Sequence, residues 1–85
     1  MENEKAIIIV ALLLINKGVP LNSSHRIIQI LEWKFGVIET KYILDKIKQE
    51  IYAEFDLVKG IHYYRITADG IAFVQQEHNK ALEVY

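Results

Sequence analysis

His25, His62 and His78 are the side chains of this sequence that could titrate near neutral pH or ligate a metal ion. None stands in a close pair such as His-x3-His, so a metal site would require all three to converge with a carboxylate, and none is expected. Ser23-Ser24-His25 sets hydroxyls beside an imidazole, but members of a catalytic triad meet through the fold, not as chain neighbours. The same serines are good helix caps. No phosphate loop, nucleotide fingerprint or framed pair of carboxylates is present. There is no cysteine, which removes disulfides, thiolate metal sites and cysteine nucleophiles together. The expectation is a protein that is not an enzyme and carries no cofactor and no metal.

A second group of residues suits contact instead of catalysis. Between about Glu39 and Ala53, the apolar residues Ile43, Leu44, Ile47 and Ile51 recur at three- and four-residue steps, the stripe of an amphipathic helix. A turn of about 100° per residue puts Tyr42, Asp45 and Gln49 opposite that stripe, flanked by Lys41, Lys46 and Tyr52. Lysines there could meet phosphates and Gln49 an adenine edge. They could equally form an ordinary solvated face. Exposed tyrosines suit a protein partner or a DNA backbone equally well.

Charge does not decide between these. The net charge is −1. From Asn22 to Thr67, seven bases (Arg26, Lys34, Lys41, Lys46, Lys48, Lys59, Arg65) stand against six acids (Glu32, Glu39, Asp45, Glu50, Glu54, Asp56). Nucleic-acid modules carry a clear basic surplus, so any DNA contact here must come from placement. Eight of the ten basic residues are lysine, which hints at an AT-rich bacterial or phage genome.

The elements that position these residues follow from local signals. The chain is 85 residues long with 52% apolar residues, enough for a single domain over residues 1–85 with one core. "AIIIVALLLI", Ala6 to Ile15, is ten residues where a membrane span needs about 20. It lacks the flanks of a signal peptide. We read it as a buried core helix closed by Gly18, with no membrane association and a cytoplasmic location. "VPLN" is expected to be short and extended, and Asn22, Ser23 or Ser24 to cap a second helix. That helix carries Ile27, Ile28, Leu31 and Phe35 on one face, with Ile30 and Trp33 alongside, and ends at Gly36. Trp33 is read as core or core-edge. "FDLV" and "IHYYRI" flank Lys59-Gly60 as a hairpin. Thr67 then caps a last helix, with Asp69 favouring its positive end. Gly70, costly to helix propensity, implies close approach to a neighbour. This helix is expected to bury Ile71, Val74, His78 and Leu82.

The order of helix, short strand, helix, tight turn, helix, hairpin and helix resembles a winged helix-turn-helix domain, an α+β, mainly helical fold. "YYRITADGIAFV", Tyr63 to Val74, is similar to the wing-to-helix junction of PadR- and MarR-like bacterial transcription regulators, often written Tyr-x-Leu-Thr-x-x-Gly. Tyr64, Ile66, Thr67 and Gly70 take those places. The resemblance implies a small DNA-binding regulator whose third helix reads the major groove. Its contact residues would be Thr40, Lys41, Tyr42, Asp45, Lys46 and Gln49, with Lys59 and Arg65 from the wing. It also implies a homodimer through the terminal helices, for which Phe73, Leu82 and Tyr85 are the candidates. The alternative is a winged-helix module that binds a protein partner without DNA.

Overall fold

The computed structural model describes residues 3–83, with side chains as far as Lys80. Its elements are α1 (Glu4–Asn16), α2 (Ser24–Phe35), α3 (Val37–Gln49), β1 (Ala53–Val58), β2 (Ile61–Ile66) and α4 (Ala68–Glu83). β1 and β2 form an antiparallel hairpin. Three helices, a hairpin and a last helix are consistent with a winged-helix layout. No helix of the described residues is long and apolar enough to cross a membrane.

The core lies where α1 meets α2, α3 and the base of the hairpin. Ile7, Ile8, Ala11, Leu12 and Ile15 of α1 join Ile27, Leu31, Ile43, Ile47, Ala53 and Tyr64. Each fully buried leucine or isoleucine contributes about 1.5–3 kcal/mol. α1 is not buried all round, however. Its Leu13 is 50% exposed, because a helix laid against one side of a three-helix layer keeps its far face in water.

Two expected boundaries shift. Val19 to Asn22 form turns, not an extended strand: the Asn22 N–H donates to Gly18 O at 3.2 Å and the Ser23 N–H to Pro20 O at 3.4 Å. The segment still reaches the sheet: Ser23 forms an isolated bridge to Tyr63, and Asn22 bonds the Tyr64 backbone. Ser23 is also the cap of α2, its hydroxyl accepting from the Arg26 N–H at 3.2 Å. At its other end α2 passes to α3 through Gly36 alone, at φ +87°, a value few side chains tolerate.

α3 stops at Gln49 and does not continue to Ala53. The Ile51 N–H donates to Lys48 O and the Tyr52 N–H to Ile47 O, the two bonds of a Schellman ending. That ending requires a left-handed residue, and Ile51 takes the role at φ +55°. Glycine usually stands there, so the stop is silent in the sequence.

The α4 junction forms as expected. The Thr67 hydroxyl accepts from the Gly70 N–H at 3.1 Å and donates to Ile51 O. The Thr67 N–H donates to Tyr52 O at 3.0 Å. Gly70 is buried, and a Cβ added to it would collide with the Tyr52 carbonyl oxygen and the Ile66 side chain. One threonine thus ties the α3–β1 corner to the start of α4.

Candidate interaction surface

The amphipathic repeat of α3 buries Ile43 and Ile47 and turns Lys41, Tyr42, Asp45 and Gln49 outward, with Lys46 beside them. Thr40 departs from its expected place. It is 2% exposed, facing the core with its Oγ1 unpartnered among the described residues, and cannot reach a groove of DNA. Its position, three residues before Ile43, is on the buried side of a 3.6-residue repeat. Lys46 lies 4.0 Å from Glu50, one turn on.

The wing differs most from a DNA-reading one. A two-residue turn at Lys59-Gly60, both left-handed, pairs Glu54 with Arg65 and Asp56 with Tyr63. Arg65 is thereby held by two carboxylates, donating from Nε to Asp56 Oδ2 at 3.0 Å and from Nη2 to Glu54 Oε2 at 2.8 Å. The Asp56 hydrogen bond and charge, then those of Glu54, raise the guanidinium above its ordinary value. The candidate cation at the base of the wing is therefore already matched. Its signal was present in the sequence, since the turn length alone sets Glu54 across from Arg65.

Lys59 remains at the tip, but Leu57, Val58 and Ile61 surround it, with Leu57 65% exposed. On the inner face the Phe55 and Tyr64 rings pack at a 34° tilt with centres 4.5 Å apart, and Lys48 reaches within 6.0 Å of the Phe55 ring. Leu44, Asp45, Lys48, Phe55 and Tyr64 line a cleft between α3 and the wing. Burial raises the Tyr64 phenol.

Further apolar surface sits at the α2–α3 turn. Trp33 is 83% exposed and Ile38 85%, with Val37 beside them. Trp33 is thus neither core nor core-edge. Its position between Glu32 and Lys34, away from Ile27 and Leu31, places it on the solvent side of α2. Exposed apolar residues occupy the leading end of α3, where a DNA reader presents polar side chains.

Tyr52 and Phe73 are brought together. Their rings stack at 4.7 Å, both half-buried, so Tyr52 is not a free surface tyrosine and one face of Phe73 is already covered. Val74 is half-buried beside the core, whereas Ile71 is exposed at the start of α4. His78 is exposed on the rim of a groove between α1 and α4 lined by Ile9, Leu13 and Val74, not within the core. His25 and His62 are also exposed, each on a different element. The Leu82 side chain and Tyr85 lie outside the described residues. Among those residues no cluster of His, Asp or Glu is placed to hold a metal.

Compared with protein-family models, with curated proteins and with solved structures, the chain matches none.

Proposed function

We propose that this chain is a winged-helix protein-interaction module. The observation that carries this reading is the wing: its one arginine is matched by Glu54 and Asp56, and Leu57, Val58 and Ile61 stand exposed around its tip. A wing that approached phosphate would do so with free cations. A wing whose one tip lysine, Lys59, is flanked by exposed leucine, valine and isoleucine gains free energy by being covered, and apolar surface of this kind marks a partner site. Trp33, Val37 and Ile38 extend the same character to the leading end of α3. Tryptophan is enriched among residues that anchor protein interfaces.

A second reading, a DNA-binding regulator of the PadR or MarR type, is supported by the outward grouping of Lys41, Tyr42, Lys46 and Gln49 on α3 and by the wording of the Tyr64–Gly70 junction. In either case a homodimer would use the α1–α4 groove around Leu13 and Val74, since one face of Phe73 is already covered by Tyr52.

Affinity capture with three baits separates the two readings: the native chain, Leu57→Ser/Ile61→Ser, and Lys41→Ala/Lys46→Ala. The interaction module predicts a nuclease-resistant partner that the wing variant loses and the lysine variant keeps. Retention that nuclease abolishes, and that the lysine variant lacks, would reverse the choice.

A further inference from the structure

The two long edges of the hairpin differ. A two-residue turn closes on Val58 and Ile61 as a hydrogen-bonded pair, and such pairs alternate along an antiparallel ladder. Tyr64 is then a residue whose N–H and C=O point away from β1. Both are taken: the N–H donates to Asn22 O at 2.8 Å, and the C=O accepts from Asn22 Nδ2 at 2.9 Å. The segment before α2 thus covers that edge of β2.

The same alternation turns the N–H and C=O of Phe55 and Leu57 outward from β1, where no backbone partner meets them among the described residues. Both side chains are exposed as well. An open edge with exposed apolar side chains is a template for another strand.

We propose that the open edge of β1 receives an extended segment of a partner protein in which apolar and basic residues alternate. The inference rests on the interaction-module reading and names the partner's chemistry. Side chains along β1 alternate between faces. Phe55 and Leu57 on one face call for apolar neighbours in the added strand, while Glu54 and Asp56 on the other call for cations. Arg65 engages only Glu54 Oε2 and Asp56 Oδ2, so Oε1 and Oδ1 stay open to a lysine or arginine from the new strand. Counted together, two carboxylates and one guanidinium leave this face one charge negative. A second copy of the chain fits poorly. Antiparallel self-pairing in the registers that use most of β1 sets Glu54 against Asp56, or Asp56 against itself, and like charges directly opposed destabilise a sheet.

The test is amide exchange and chemical-shift mapping on the ¹⁵N-labelled full chain with two capped six-residue peptides, one alternating valine with lysine and one valine with glutamate. The valine–lysine peptide should shift the Phe55 and Leu57 amides and slow their exchange at least about tenfold; the glutamate peptide should do neither. Leu57→Pro removes only an outward N–H, so it should abolish that protection while the ladder survives. Glu54→Gln/Asp56→Asn, which keeps every backbone group, should erase the preference for lysine. Unchanged Phe55 and Leu57 amides at millimolar valine–lysine peptide, or shifts confined to the α1–α4 groove, would overturn the proposal. If duplex DNA stays unbound in a separate titration, the interaction-module reading survives that loss.

Discussion

The buried α-carbon of Gly70 lies against the carbonyl oxygen of Tyr52, close enough that a methyl group does not fit between them. That carbonyl also accepts the Thr67 N–H, so it cannot swing aside without breaking the α4 junction. Gly70→Ala gains about 1 kcal/mol of helix propensity, while overpacking against a fixed backbone costs about 1–3 kcal/mol and occasionally more. The clash wins. Urea unfolding of Gly70→Ala should show a net loss of about 1–2 kcal/mol, and a stability equal to or above the native chain would mean the contact is looser than described.

Ile51 presents the opposite case. It holds a left-handed φ of +55° as the last link of α3, a conformation that strains a β-branched side chain by about 1–3 kcal/mol. About half of its side chain is already in water, so removing it forfeits only part of what a buried isoleucine contributes. Ile51→Gly should therefore raise the unfolding free energy by about 1 kcal/mol. A decrease would show that the Ile51 side chain, and not its backbone, matters at this corner.

These two residues also mark how much was legible beforehand. Gly70 announced itself, because glycine in a first helical turn needs a reason and close approach is the common one. The Lys59-Gly60 turn and the Thr67 cap were equally readable, since each uses the residue types its geometry favours. Ile51 was hidden because an isoleucine at a glycine position carries no local signal, so the apolar repeat carries α3 four residues past its actual end at Gln49. On the candidate surface, periodicity places Lys41, Tyr42, Asp45 and Gln49 outward, and the same repeat puts Thr40 on the Ile43–Ile47 stripe and Trp33 opposite Ile27 and Leu31. The expected places of these last two come from elsewhere: that of Thr40 from the resemblance to a DNA-reading helix, and that of Trp33 from the general preference of tryptophan for core or core-edge positions. The matching of Arg65 was recoverable from hairpin pairing, which fixes cross-strand neighbours once the turn is known.

Titration of the core edge gives a further check. Burial raises the Tyr64 phenol above its ordinary value of 10.0, so the folded chain holds that proton more tightly than the unfolded chain does. The contribution is full below the unfolded value and falls as pH rises through the raised folded one. Stability should therefore drop with increasing pH above about 10, and Tyr64→Phe should make that slope shallower. Tyr52, raised by burial and then by Glu50, supplies part of the remaining slope. An identical alkaline profile for Tyr64→Phe would contradict the burial of its hydroxyl.

Leu13 and Val74 face each other across the α1–α4 groove, and a two-fold dimer would cover both. Sedimentation equilibrium at micromolar concentration should give about double the 9.9 kDa chain mass. Leu13→Glu should return the chain to a single copy without unfolding it, because half of that side chain is already in solvent. A native species at the single-chain mass would remove the dimer and leave the wing surface unaffected.

The most direct test of the interaction-module reading is fluorescence anisotropy with a mixed-sequence duplex at low salt, where electrostatic contact with phosphate is strongest. With a net charge of −1 and Arg65 matched by Glu54 and Asp56, micromolar protein should leave the duplex unbound. Saturable binding in that range, weakened by Lys41→Ala and Lys46→Ala and falling steeply with added salt, would contradict it and restore α3 as a DNA-reading helix.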